Sequence, residues 1–275
     1  RAPGHYFQRP DADHLEYDPG RTSLSGWTAR GQIWKRQGSV RGGVFLQAIS
    51  PGFEISDLGF NPQQDVVASN AWMNWFDFTP GRHLRQWNVG TMASLGSTFG
   101  GERRWVEQMV QGNATFLNYW EAGGWLGRSY SGYDPVALRG GPALRTQANW
   151  NGGFHVASDE RRPLNGNAMV HWGVEDGAGG WWFNLRGAMS LRASERLSLS
   201  AEPELDARRS TDQWAGRGTG ADGLQPVVGR LEQRTVGLGL RIDYTFSPRL
   251  TLQAFARPFL ASCQYSGFGE IADAR

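Results

Sequence analysis

The sequence has a single cysteine, Cys263, and a single lysine, Lys35. One thiol forms no internal disulfide, and there is no CxxC pair to hold a metal or to cycle in redox chemistry. With lysine almost missing, the cations are arginines scattered through the chain, and the formal net charge is only +2. That leaves no basic stripe to track nucleic-acid phosphates, and the codon bias of a G+C-rich genome explains the arginine preference. No apolar run reaches about 18 residues, which excludes a transmembrane helix. A membrane barrel is untouched by that test, because only alternate residues of its strands need be apolar. There is no Gly-x-Ser-x-Gly elbow, no oxyanion-hole signature and no glycine-rich phosphate loop leading into a helix. The opening residues 1–21 hold His5, Asp11, Asp13, His14, Glu16 and Asp18, but in neither EF-hand nor zinc spacing, so a solvated loop is expected there. Neither Met nor a signal peptide opens the chain, which predicts a mature or internal piece of a longer polypeptide.

The sequence does contain 38 glycines and 13 tryptophans, with 39% hydrophobic residues at a mean hydropathy of -0.50. Residues 138–172 show how these are arranged. Trp150, Gly152, Phe154 and Val156 share one strand face, with Asn151, Gly153 and His155 on the other. A polar turn, Ser158–Pro163, leads into Leu164, Ala168, Val170 and Trp172, which oppose Asn165, Asn167, Met169 and His171. Such period-two alternation predicts an antiparallel hairpin. The same unit recurs at 22–36 with 39–49, 65–78 with 84–96, 103–112 with 115–127, 181–192 with 197–206, and 230–246 with 250–261. The third of these pairs is the least regular, since its second strand is apolar on both faces.

Loop lengths give the strands a common direction. Turns within pairs are short, whereas the connections at 50–64, 128–147 and 207–229 are long. Short turns at one end and long loops at the other characterise outer-membrane barrels, and strands of about 10 residues suit a tilted bilayer span. The fold expected is therefore an all-β, antiparallel transmembrane β-barrel of the outer-membrane type. About a dozen strands are visible, as part of a larger barrel. Residues 1–275 form one domain: a loop over 1–21, paired strands over 22–261 and a tail over 262–275. On this topology the long loops lie outside the cell and the polar faces line the lumen, with Asn74, Gln86, Asn88, Asn165, Asn167 and Gln253 among its residues. Trp75, Trp87, Trp172, Trp181 and Tyr244 are then interfacial girdle residues rather than sugar platforms.

The candidate binding residues of the lumen are His155, His171, Arg186, Glu202, Glu204, Arg241, Asp243 and Arg257. Glu202 and Glu204 share a face about 6–7 Å apart, a separation a glycosidase pair can use. Solvated or ion-paired wall is the commoner role, with water or cations such as Arg186 and Arg241 compensating the charge. In the loops, Asp57, Arg139, Arg145 and Arg161 are binding candidates, while Gly140-Gly141-Pro142 and Pro51-Gly52 are turn formers. No catalytic residue, metal or cofactor is expected.

Several stretches resemble one bacterial family: Ser50–Phe60, Leu138–Pro142, Ser158–Arg161, and Asp243–Pro248 followed by Arg257–Phe259, with His5–His14 ahead of them. It is the uncharacterised C-terminal barrel domain that follows a family-9-type carbohydrate-binding domain in large outer-membrane proteins. The likeness spans essentially the whole chain; Cys263 departs from it, where a small residue is usual. The resemblance implies a chain extending beyond both ends of this one, a preceding sugar-binding module and no established catalytic residues. Together with the pattern it leads to the expectation of an outer-membrane barrel that recognises or passes a glycan-derived solute. Lipid and an oligosaccharide would be its partners, and nucleic acid would not. A plugged anchoring barrel and a glycan hydrolase are the competing readings.

Overall fold

A computed structural model describes residues 8–9, 11–55, 64–177, 179–220 and 223–271. Among them there is no helix; the chain is strand and turn throughout. The strands are β1 (Thr28–Lys35), β2 (Val40–Ile49), β3 (Val66–Asp77), β4 (Leu84–Ser97), β5 (Arg103–Phe116) and β6 (Glu121–Tyr130). A small ribbon follows, β7 (Gly132–Asp134) with β8 (Leu144–Thr146). Then come β9 (Asn149–Ala157), β10 (Leu164–Glu175), β11 (Trp181–Arg192), β12 (Leu197–Gly220), β13 (Gly223–Ser247), β14 (Leu250–Ala256) and β15 (Phe259–Glu270). Apart from the ribbon, all lie in one 13-stranded antiparallel sheet in which sequence neighbours pair. β14 and β15 both pair with β13, in a register that runs on from Leu240↔Ala256 to Gly237↔Phe259. They are one strand interrupted at Arg257-Pro258, where proline has no N–H to give to the ladder.

The register turns the sequence alternation into two faces. Along β1 to β4 the first face carries Ile33↔Val44, Val44↔Ala71 and Ala71↔Ala93. At the other end of the sheet it carries Leu185↔Leu205, Leu205↔Val236 and Leu199↔Ile242. This face is apolar from edge to edge, and nothing among the described residues packs over it: Ile33 is 83% exposed, Met189 59% and Val236 52%. Among the described residues the buried apolar side chains include Ala12, Ile49, Val66, Leu138, Ala143 and Leu231.

The second face is polar and crowded. Large side chains on it stand directly opposite glycines on the neighbouring strand, as in Trp34↔Gly43, Gly96↔Trp105, Trp125↔Gly153 and Gly173↔Trp182. A Cβ at Gly173 would run into the Trp182 ring, and one at Gly96 into the Trp105 ring. On the apolar face Gly31 has nothing near its missing Cβ. A sheet that curves toward its polar side crowds those side chains together, and glycine makes the room.

Three expectations are corrected. The stretch from 262, expected as a tail, continues as strand β15 to Glu270, paired with β13. The sheet is not closed into a barrel: β1 and the β14–β15 strand have a neighbour on one side only, and every residue of both is exposed. Residues 207–229, read as a long loop, are instead the far halves of β12 and β13, a hairpin kept in register to Gly220↔Gly223 by two irregularities. Glycine, aspartate and arginine suggested a loop there, but cross-strand pairs such as Arg209–Glu232 (2.9 Å) let charged residues form ladder.

Valine at position 173 is expected to destabilise the fold by about 1–3 kcal/mol through overpacking, whereas Gly31→Val changes stability by less than about 0.5 kcal/mol. Denaturant unfolding in detergent micelles, followed by tryptophan fluorescence, measures both, and Gly173→Val/Trp182→Ala recovers part of the loss.

Candidate functional site

Strand direction sorts the connections to the two ends of the sheet. Turns 36–39, 78–83, 117–120, 158–163, 193–196 and 248–249 lie at one end, all short. At the other end lie residues 50–55 and 64–65, the 131–148 segment and the far ends of β12 and β13, together with residues 98–102, 176–177 and 179–180. The second end holds most of the buried residues.

Of the opening stretch 1–21, which the sequence marks as a solvated loop, residues 8–9 and 11–21 fold into that end, and residues 22–27, expected as the start of a strand, precede β1. Arg9 is 3% exposed, and its Nη2 reaches Asp11 at 2.8 Å and Glu102 at 3.1 Å. Asp11 accepts in turn from the backbone N–H of Ala143, at 2.9 Å, in the 131–148 segment. His14 Nε2 sits 2.8 Å from Asp65, whose other carboxylate oxygen accepts from the Phe99 N–H at 2.9 Å. Asp65 is buried and holds φ at +53°, a left-handed conformation that aspartate tolerates better than most residues. Arg104 Nη1 donates to the Gln64 carbonyl at 3.1 Å. One charged network thus ties the opening segment to the loops after β2, β4 and β6. Burial alone lowers the Arg9 pKa, but the Asp11 and Glu102 carboxylates more than offset it and raise the guanidinium.

The polar face carries the candidates for solute contact. The register places Asn74, Gln86, Asn88, His155, Asn165, Asn167, His171, Arg186, Glu202, Glu204, Arg241, Asp243 and Gln253 all on this face. It adds Gln111 and Asn113, whose amides bond Asn74 at 3.1 Å and Asn88 at 3.3 Å. At the short-turn end a cavity of about 280 Å³ lies among Phe76, Phe78, Gln86, Asn88, Asn113 and His155. The two phenyl rings stack at 5.6 Å, so rings and amides converge there.

The acidic residues find their expected partners only in part: the Glu202 charge acts on Arg241, whereas Glu204 turns elsewhere. Glu204 pairs with Arg257 at 2.8 Å, and Arg241 with Asp243 at 2.8 Å. Arg186 is the cross-strand neighbour of Glu204 in register only. Arg257 lies at the proline break of the last strand, close in space but 53 residues away in sequence, and no alternation reports such a contact. His171 lies edge-on to Trp125, with ring centres 6.1 Å apart.

The four loop candidates do not gather. Asp57 falls outside the described residues. Arg139 and exposed Arg145 are in the 131–148 segment, but Arg161 is in turn 158–163 at the opposite end. There it bonds Asp159 at 2.8 Å through Nε and Nη2 and lies over the Tyr119 ring at 3.3 Å. These bonds, then the Arg161 backbone N–H and the Arg161 and Arg162 charges, hold the Asp159 carboxyl down at about 2. Sequence reasoning missed Arg9, Glu102, Trp214 and Arg217, because only the folded loops bring them near their partners. Strand parity would have found Gln111 and Asn113.

Residues 13–274 match the family described as Domain of unknown function (DUF5916), and the chain belongs to that family. No curated protein and no solved structure matches the chain.

Arg9→Met removes the buried cation from Asp11 and Glu102 and is expected to lose about 3 kcal/mol or more from the loop end. Limited proteolysis then cuts the opening segment faster than in the wild type. The Asp159 carboxyl is held down at about 2 in the folded chain against 3.8 for an unperturbed aspartate, so its stabilisation is full above about pH 4 and fades as pH falls toward 2. The stability gap between wild type and Asp159→Asn, measured by unfolding at a series of pH values, closes over that window.

Proposed function

We propose that this member of the family builds the wall of an outer-membrane β-barrel that recognises or passes a solute, most plausibly glycan-derived. The observation that carries the reading is the uncovered apolar face. In water, so wide an apolar surface would be covered by a second layer; in a bilayer, lipid chains are that layer. Backbone chemistry points the same way, because each internal strand satisfies its N–H and C=O groups through two neighbours, as a lipid-exposed strand must.

The aromatic residues supply a second support. Trp75, Trp87 and Tyr244 are on the apolar face near the short-turn end, and Trp150, Trp172 and Trp181 are on it near the long-loop end. Between Trp181 and Leu191 the strand advances about 33 Å, or about 25 Å after a tilt of about 40°, the height of an outer-membrane apolar band. Amphipathic rings at both rims suit the headgroup level. Closure would need strands or chains beyond those described to meet the two open edges.

On this reading the polar face lines the lumen. Its amides and stacked rings at the short-turn cavity suit a neutral polar solute held by hydrogen bonds and ring contact. The family resemblance favours sugars, which a preceding carbohydrate-binding module would collect. On this face Arg241 pairs with Asp243 and Arg257 with Glu204, and the pairing of Glu204 speaks for a wall and against a glycosidase pair. An anchoring barrel is the second reading, and the opening segment knotted into the loop end favours it, since such a segment narrows a pore.

Bilayer insertion followed by single-channel conductance, titrated with neutral oligosaccharides, tests the proposal. Insertion with a sugar-blocked current is expected. Inserted protein without current would leave the anchoring reading, and a water-soluble folded monomer would remove the membrane altogether. Leu238→Arg, at mid-height on the apolar face, is expected to weaken insertion by about 2–4 kcal/mol, whereas Asn167→Arg on the polar face inserts normally.

A further inference from the structure

The cavities of the molecule differ in charge. At the loop end, the cavity beside Arg9 holds Asp11, Asp13 and Glu102 as well as Arg103, so cations and carboxylates face one another. The short-turn cavity is lined mainly by amides and rings, with the Glu121 carboxylate among them and no arginine. A third cavity, of about 540 Å³, lies between the opening segment, the 131–148 segment and the extended β12–β13 hairpin, where Tyr17, Arg21, Arg139, Trp214 and Arg217 line it. Its volume is that of a small-ligand site.

Three arginines meet there, and only one has an acidic partner. Arg21 is paired with Glu16 at 2.8 Å and has Asp18 at 4.0 Å. Arg139 and Arg217 form no ion pair among the described residues, so the cavity carries two uncompensated guanidinium groups. Both are held. The Arg139 guanidinium lies 3.8 Å over the Trp214 ring, and Arg217 Nη2 donates to the Arg139 carbonyl at 2.8 Å. The loop beneath them is anchored by Leu138, 1% exposed, and by the Gly141 N–H bond to the Leu138 carbonyl at 3.2 Å. A Cβ at Gly141 would lie 2.9 Å from the Pro226 ring of β13, so loop and hairpin are in close contact. Arg139 itself holds φ at +51°, a backbone state that a non-glycine residue keeps only where its surroundings fix it. Tyr17 adds a ring that is 58% exposed.

From this arrangement we infer that the cavity binds an anionic saccharide, a sugar carrying carboxylate or phosphate. Guanidinium groups match those anions bidentately, and an exposed ring supplies a stacking surface for a sugar ring. Because the arginines are already ordered by Trp214 and by the Arg139 carbonyl, little side-chain freedom is lost on binding. The inference rests on the reading of the chain as a glycan-recognising barrel and gives its long-loop end a charge preference that the lumen lacks. The ligand comes either as a free acidic oligosaccharide or as the headgroup of an anionic glycolipid in the surrounding leaflet.

Calorimetry on the full chain folded in detergent micelles tests it, with trigalacturonate as the acidic probe and maltotriose as the neutral one. A second arm uses nanodiscs with and without lipid A. Trigalacturonate, lipid A or both should bind at least about tenfold more tightly than the neutral counterpart, with affinity falling as salt rises. The double variant Arg139→Gln/Arg217→Gln should abolish that preference, Tyr17→Ala should weaken trigalacturonate, and Arg249→Gln at the opposite end should change nothing. Trigalacturonate binding marks the soluble source, and lipid A alone marks the glycolipid. Equal affinity for acidic and neutral probes, no binding of either acidic probe, or full preference retained in the double variant overturns the inference. Conductance separates it from the barrel reading: a sugar-blocked current without acidic preference removes this site alone, and acidic binding by protein that never inserts removes the barrel alone.

Discussion

Everything in this chain follows from a sheet with one apolar face that has no second layer against it among the described residues. In a protein of this size the hydrophobic residues ordinarily meet inside. Here Ile33, Leu46, Met73, Phe154, Met189 and Leu240 point away from the rest of the molecule, and each is more than 40% exposed. The backbone holds the structure together through the ladder, and the apolar face contributes its free energy only when something apolar covers it. That need makes the surroundings part of the fold, and the bilayer of the proposed reading would meet it over the whole width of the sheet.

With the apolar face turned outward, packing moves to the other side. Tryptophans opposite glycines, amides bonded across strands and ion pairs such as Arg257 with Glu204 do on the polar face what a hydrophobic core does elsewhere. The remaining order is concentrated at one end, where Arg9, Asp11, His14, Asp65 and Glu102 bind the opening segment to three loops. On the proposed reading the chain divides into a wall for lipid and a polar end assembly for water. Arg139 and Arg217 of the third cavity, which form no ion pair among the described residues, belong to the latter.

Much of the wall was legible in the sequence, because strand parity is a local property. Alternation placed Trp75, Val89, Leu185 and Ile242 on one face and Asn74, Asn88, Arg186 and Asp243 on the other, and the pairing agrees at each. Composition misled where it stood in for alternation. Residues 207–229 look like a loop because they are rich in glycine and charge, yet β12 and β13 run through them. The opening segment looked solvated because it is polar, but its charges are satisfied by Glu102 and Asp65, far along the chain. Such long-range partners leave no periodic trace. Nor does period two reveal whether the first and last strands meet, since β1 alternates in the same way beside a neighbour or at an open edge.

Spin-label accessibility along β13 is the most direct measurement. Single cysteines from position 236 to 242, in a Cys263→Ser background, are labelled in the reconstituted protein and probed with lipid-dissolved oxygen and a water-soluble nickel chelate. Oxygen should reach labels at 236, 238, 240 and 242, and nickel those at 237, 239 and 241, so that the two profiles alternate out of phase. Equal access of the chelate to both sets would mean that the apolar face meets water, and the membrane wall could not stand.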